Sequence, residues 1–146
     1  ECEYSLDQFS EAVLTYKQFL NNASASETPE NKTVNYNLAY SYFKIKEYEN
    51  AIPYFNTYIT NSKEDKNRLT DAYLRLADCN YISSKYWPAM DAYNKAIELK
   101  ENDNSYFLRG LVYIKLGQKE KGCKDLSKSG ELGNTEAYEK IKINCK

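Results

Sequence analysis

The stretch that decides the fold is residues 37–42, NLAYSY, followed by Tyr48, Ala51 and Phe55. The same order of small and aromatic residues recurs in residues 73–96 and 106–126, and residues 9–16 keep its second half. The small residues fall at matching places in each copy: Ala39, Ala77 and Gly110 in the first segment, and Ala12, Ala51, Ala89 and Gly122 in the second. Small side chains let two antiparallel helices approach to about 8–10 Å, so each copy predicts a helix hairpin.

The repeat predicts an all-helical chain. The expected helices are 1–5, a truncated end, then 7–20, 32–45, 47–60, 68–83, 85–99, 104–116, 118–129 and 135–145. The polar stretches 21–31 and 61–67 are predicted loops between repeats. The last helix begins no new pair, so we expect it to cap the stack, with Tyr138, Ile141 and Cys145 on one face.

These motifs resemble the tetratricopeptide repeat (TPR) family over nearly the whole chain. The resemblance implies an all-α fold, a right-handed α-α superhelix or TPR solenoid of antiparallel helix pairs. It predicts a single TPR domain, 1–146, of about three and a half repeats. Its parts are a truncated first repeat 1–22, second repeat 32–62, third repeat 68–100, fourth repeat 103–133 and capping helix 134–146. One departure is Arg109, which stands where the other copies carry Leu38 and Leu76.

Composition excludes several function classes. The net charge is -1 with both signs interspersed, whereas nucleic-acid binding needs clustered Lys and Arg, so no nucleic-acid partner is expected. Apolar stretches are too short to span a bilayer, so we expect no direct membrane insertion. With His count 0, a Ser–His or Cys–His nucleophile pair cannot form. The chain also lacks a glycine-rich phosphate loop and a Cys-x-x-Cys pair. We therefore predict a protein that is not an enzyme, with no catalytic residues, cofactor or metal.

The chain starts at Glu1 inside a repeat, without an initiator Met. That start predicts a fragment or processed product of a longer protein.

The four cysteines separate into two kinds. By the family resemblance, Cys123 packs against the following helix, here the cap that carries Cys145, so the two could form a disulfide. The alternative is a pair of buried thiols that behave as small apolar residues. Cys2 and Cys79 are expected to be core thiols. The Cys123/Cys145 arrangement resembles the end of many cell-envelope repeat proteins of Gram-negative bacteria, which favours the cell envelope over a reducing cytoplasm.

By resemblance, the first helix of each pair lines a concave groove. The groove residues are Tyr36, Tyr40, Phe43, Leu74, Asp78, Tyr81, Phe107, Leu111 and Ile114. Tyr4 would extend this row, and Asn37 and Arg75 are candidate polar contacts. Because Asp71, Asp78 and Glu1 would repel an acidic peptide tail, a chaperone-type clamp is not expected. The other interpretation is that these rings pack against each other or against missing N-terminal repeats.

The leading hypothesis is a protein-interaction scaffold whose groove binds a partner peptide or helix. Two alternatives stay open. The stack could be a structural spacer or self-association module, or it could be the accessory domain of a larger enzyme. The partner's identity and the oligomeric state are not predicted.

Overall fold

The structure, a computed structural model, describes residues 2–22, 29–61 and 66–145, which fall in two compact units, Glu1–Asp65 and Lys66–Lys146. The described residues form eight α-helices. The all-α fold class expected from the sequence is confirmed.

The first unit contains three helices: α1 (Cys2–Asn22), α2 (Pro29–Lys44) and α3 (Tyr48–Asn61). Consecutive helices pack against each other, and α2 and α3 form an antiparallel hairpin. Its core holds the small residues of the repeat together with large ones: Leu38, Ala39, Ala51 and Phe55 are 0% exposed, and Tyr58 is 1% exposed. Ala39 and Ala51, the small residues that the repeat marks, are thus both fully buried in this hairpin.

The second unit contains five helices: α4 (Lys66–Ile82), α5 (Tyr86–Leu99), α6 (Asp103–Lys115), α7 (Lys119–Glu131) and α8 (Glu136–Asn144). Each packs against the next in sequence. Tyr93 and Val112 lie in the core with the small residues Ala77 and Ala89, and Leu126 fills the space beside α6. Asn102 caps α6, since its side-chain oxygen accepts a hydrogen bond from the Ser105 backbone N–H at 2.8 Å.

Two details of the predicted helices are wrong, and a third is incomplete. The expected break near residue 6 does not occur, because residues 5–7 contain neither Gly nor Pro to interrupt α1. Helix α2 begins at Pro29, whose missing N–H is tolerated in a first turn. The inner face of α8 also includes Ala137, 0% exposed, which the prediction left out, while the Tyr138 ring lies against Gly130 of α7 and stays 50% exposed. Residues 23–28 and 62–65 of the predicted loops lie outside the described residues, as do the side chains of Tyr4 and Cys2.

The same type of turn connects α2 to α3 and α4 to α5. After α2, Glu47 N–H donates to the Tyr42 carbonyl at 2.9 Å and Lys46 N–H to Phe43 at 3.1 Å; Lys85 and Ser84 repeat the pattern after α4. These paired bonds define a Schellman motif, which places one residue in the left-handed region. Here that residue is Lys46 (φ 64°) or Ser84 (φ 60°), and the α6–α7 turn uses Gly117 (φ 74°).

A close helix crossing joins α6 to α7 through Gly110 and Gly122. A Cβ atom built on Gly122 would lie 2.6 Å from Ile114 Cγ1 and 2.8 Å from the Gly110 carbonyl oxygen. A Cβ built on Gly110 would lie 3.0 Å from the Gly122 carbonyl oxygen. The two backbones are thus in direct contact, and neither site has room for a methyl group.

We expect Gly122→Ala to lower the free energy of unfolding by about 1–3 kcal/mol, because the obstructing Gly110 oxygen is backbone and cannot rotate away. This loss exceeds the gain of up to about 1 kcal/mol that alanine brings to a helix interior. Urea unfolding followed by circular dichroism measures it. Ser127→Ala, at an exposed site on the same helix, is the matched control. Equal stability of Gly122→Ala and the wild type would show that the crossing is not tight.

Candidate partner-binding surface

In the first unit, α1 and α2 bring aromatic rings together on one face. Tyr36 stacks on Tyr40 with ring centroids 6.3 Å apart, and Phe9 meets Tyr40 edge-on at 6.1 Å. Lys44 Nζ lies 5.6 Å from the Phe9 ring centroid and 5.8 Å from that of Tyr40. Both distances suit cation–π attraction. We call Phe9, Tyr36, Tyr40 and Lys44 the aromatic row.

The three rings of the aromatic row are partly buried, and Lys44 is exposed. Tyr36 leans inward, where its ring meets Tyr58 at 5.1 Å and Phe55 at 6.1 Å. Phe43 turns to Tyr48, with centroids 5.7 Å apart. The predicted residues Tyr36 and Tyr40 therefore lie together, whereas Phe43 belongs to a separate ring pair. Sequence reasoning did not include Phe9 in this surface. The signal that could have found it is its position near the middle of α1, the helix that packs against α2.

In the second unit, α4 carries Leu74, Asp78 and Tyr81, all partly buried. Tyr81 packs against Tyr86 with centroids 5.9 Å apart. Leu74 lines a cleft of about 260 Å³. The other lining residues are Asn67, Thr70, Asp71, Lys100 and Asn102. Leu74 and Tyr81 thus offer apolar area on a helix that also carries two carboxylates.

Asp78 is tied to the core rather than free in solvent. The Tyr93 hydroxyl donates a hydrogen bond to its Oδ1 at 2.7 Å. Burial raises the pKa of Asp78 above its ordinary value of 3.8, although the Tyr93 hydrogen bond and the charge of Arg75 oppose this shift. Arg75 itself approaches Asp71, with Nη2 3.4 Å from Oδ1. The candidate polar contact Arg75 is therefore engaged with its own helix.

The three predicted groove residues of α6 do not form an open row. Phe107 is 6% exposed and packs with Leu126 and Ala137 in one core cluster, against which Leu111, Ile114 and Ile141 also lie. Ala137 and Ile141 belong to α8, so the chain's own last helix covers this part of the predicted groove. That Phe107 anchors a partner stays a prediction, and its ring, in the core of the unit, leaves little surface for one. A disulfide joins Cys123 of α7 to Cys145 at the end of α8, with Cα atoms 5.8 Å apart.

Arg109, the departure noted in the repeat, organises a polar network among three helices. Its Nε and Nη2 donate to the two carboxylate oxygens of Asp125 at 2.7 and 2.8 Å, and Nη1 donates to Asn94 Oδ1 at 2.8 Å. The rings of Tyr106 and Tyr113 flank the guanidinium, with centroids 5.3 and 5.8 Å away. A bidentate pair of this kind fixes geometry as well as charge. A leucine in this place could make none of these bonds, so the network accounts for the substitution.

The described residues show no arrangement suited to chemistry at a metal. Across residues 2–22, 29–61 and 66–145, no group of three or more Cys, Asp or Glu side chains is placed to hold a metal ion. Over the same ranges, no helix has the length and apolar character needed to cross a bilayer. Asn37 lies partly buried on α2, and its backbone carbonyl accepts from the Ser41 hydroxyl at 2.8 Å.

Comparison with known proteins defines the class. The family model described as tetratricopeptide repeat matches residues 33–65 and 104–132. The crystal structure of MamA is similar over 97% of this chain and 80% of its own, with a TM-score of 0.82 and 23% sequence identity. No curated protein matches in sequence.

Two further structures share the fold. The first TPR of Spaghetti (RPAP3), bound to the HSP90 peptide SRMEEVD, has a TM-score of 0.70 at 20% identity and covers 84% of this chain and 96% of its own. YrrB, a TPR protein with an unusual peptide-binding site, has a TM-score of 0.65 at 22% identity and covers 84% and 60%. The protein therefore has the fold of a helical-repeat protein, and two of its segments, residues 33–65 and 104–132, match the tetratricopeptide repeat model.

Replacing Asp78 by Asn should stabilise the protein at neutral pH, on the order of 1 kcal/mol or less. The amide oxygen keeps the hydrogen bond from Tyr93, and the desolvated charge is removed. Because the folded pKa is raised, folding favours the protonated carboxyl, and stability falls as pH rises from about the ordinary value of 3.8 through the folded value. The gain should vanish below that window.

Thermal unfolding at pH 3 and pH 7 measures this difference. Tyr93→Phe is the control in the opposite direction: it leaves the carboxylate without its donor and should cost about 1–3 kcal/mol at pH 7. If Asp78→Asn is less stable than the wild type at pH 7, the ionised carboxylate stabilises the protein, and the claim that its burial costs stability is contradicted.

Proposed function

We propose that this chain is a non-catalytic protein-interaction module that holds a partner peptide or helix against the first helices of its repeats. The observation that carries the proposal is the aromatic row of the first unit. The Tyr36 and Tyr40 rings of this row stack with their centroids 6.3 Å apart, and both remain partly exposed. Tyrosine is enriched in interface hot spots because it adds large contact area with few rotatable bonds to immobilise.

The geometry of the row favours binding over a purely structural role. A tyrosine needed only for the core would be buried like Tyr58, which is 1% exposed. Tyr40 instead stacks on Tyr36, meets Phe9 edge-on and has Lys44 over its ring, and it still stays partly exposed, so its neighbours hold the ring in place without burying it. A surface fixed in this way loses little side-chain entropy when a partner binds.

The second unit offers a surface of different character. Leu74 and Tyr81 supply apolar area on α4, and Asp71 and Asp78 supply acidic groups. This mixture fits a partner segment with apolar and basic or neutral side chains better than it fits an acidic tail. Solved TPR structures that carry a peptide or a peptide-binding site support the general mode of binding. The disulfide Cys123–Cys145 suits an oxidising compartment such as the cell envelope, which we propose as the location.

The test is to capture a partner with this chain as bait from its native source and to remeasure the affinity of the retained protein by calorimetry. We expect Tyr40→Ala and Tyr81→Ala, each made separately, to weaken binding about 10- to 100-fold while helical content is unchanged. The separate variants report on the two units independently.

Trp87→Ala is the matched control, since Trp87 is an aromatic residue 57% exposed on α5, a second helix of its pair. Its removal should leave the affinity unchanged. If Tyr40→Ala and Tyr81→Ala lose stability and keep their affinity, the rings serve the core, and the spacer or self-association hypothesis becomes the better one. A retained catalytic subunit bound outside both surfaces would favour the accessory-domain hypothesis.

A further inference from the structure

We propose that the Cys123–Cys145 disulfide is a redox-sensitive latch: it holds α8 over an apolar surface of α6, and its reduction opens that surface to a helix from another molecule. The proposal rests on the proposed function, because it concerns when the fourth repeat can receive a partner. The surface consists of Phe107, Leu111 and Ile114, and we call it the covered face.

Helix α8 packs on α7 and reaches the covered face with two side chains. It places Ala137 and Ile141, one turn apart, against the cluster that contains Phe107. Phe107, Leu111 and Ile114 lie one turn apart along α6, as an apolar stripe that receives a helix should. The covered face is therefore expected to bind an amphipathic helix that presents a small residue and, four positions later, an aliphatic residue.

The packing of α8 is limited to one side of a short helix. The helix has nine residues, fewer than the roughly 12–15 that a marginally stable isolated helix needs. Ala137 is its only buried residue among those described, the Tyr138 ring lies against Gly130 of α7 but stays 50% exposed, and Ile143 is 73% exposed. Its N-terminus is held by Asn134, whose Oδ1 accepts a hydrogen bond from the Glu136 backbone N–H at 3.0 Å. The disulfide adds a covalent link at the other end of the helix, at Cys145.

The disulfide is positioned to act as a latch. It joins two residues 22 positions apart in sequence and so closes the segment that runs from α7 through the Gly133 turn to the end of α8. In the chain-entropy model, a loop of this size favours the closed state by roughly 100-fold or more. Both sulfurs belong to partly exposed residues, so an attacking thiolate can reach them.

The chemical step is thiol–disulfide exchange with a protein dithiol. One thiolate of that dithiol attacks a sulfur of the Cys123–Cys145 bond and forms a mixed disulfide, releasing the other cysteine as a thiolate that takes up a proton. The second thiol of the reductant then displaces the remaining cysteine. Two electrons pass to this chain, which gains two thiols, and the reductant leaves as a disulfide.

Hydrogen exchange of the whole chain before and after reduction with dithiothreitol tests the latch. We expect exchange in residues 136–144 to rise about 100-fold, while α6 and α7 stay protected at backbone sites. Cys123→Ser/Cys145→Ser should reproduce this pattern without reductant. Cys79→Ala, which keeps the disulfide, should retain the protection of α8. Unchanged protection of α8 on reduction would overturn the proposal, and so would loss of protection throughout α4–α7, since the bond would then stabilise the unit as a whole.

Disulfide trapping tests whether the covered face accepts a helix from outside. The probe is a peptide of residues 134–146, offered in glutathione buffer to the Cys145→Ser chain, whose Cys123 thiol is available. Capture should exceed that of the same peptide carrying Ala137→Glu and Ile141→Glu by at least about 10-fold, because a buried carboxylate disfavours docking. Equal capture of both peptides would overturn the proposal. Neither readout uses the native partner, so a failure here is distinguishable from a failure of the aromatic row to bind.

Discussion

The contact on which the rest of each hairpin depends is the meeting of two small residues where its helices cross. Ala39 and Ala51 lie buried in one hairpin, Ala77 and Ala89 in another, and Gly110 and Gly122 bring two backbones into direct contact in a third. Because each pair fixes how close and at what rotation the helices meet, it also fixes which side chains of the first helix face outward. The exposure of Tyr40 in α2 and of Tyr81 in α4 follows from this constraint rather than from any local preference of tyrosine.

Polar interactions refine this packing instead of creating it. Arg109 stands where two other repeats have leucine, and it is accommodated because Asp125 and Asn94 supply acceptors on the neighbouring helices. Asp78 reaches the interior only with the help of the Tyr93 hydroxyl, and burial still raises its pKa. Each of these charged groups has a partner from another helix, which is the condition under which a charge is tolerated inside a protein. The repeat can therefore vary at these positions without a change of fold.

Much of the fold could be predicted from sequence because the repeat records the helix crossings directly: Ala39, Ala77 and Gly110 recur in register. The candidate surface was harder to predict. Tyr36 and Tyr40 were placed correctly on one face, but the position of Phe107 depended on what covers it, and the repeat pattern of α6 holds no information about α8. The inner face of α8 was predicted in part: Ile141 and Cys145 pack inward and the Tyr138 ring lies against Gly130, but the fully buried residue is the neighbouring Ala137, which the pattern of large side chains did not mark.

The most direct test of partner binding by the first helices is site-specific photo-crosslinking. A benzophenone side chain would replace Tyr40 on α2 or Tyr81 on α4, and in the matched variants it would replace exposed Thr57 on α3 or Asp91 on α5. Each variant would be exposed to light in the presence of the native partner, and the adducts would be identified by mass spectrometry. We predict adducts with the partner from positions 40 and 81, each scored for its own unit, and none from positions 57 and 91. Adducts from positions 57 and 91 alone would contradict the proposal and place the interface on the second helices of the repeats.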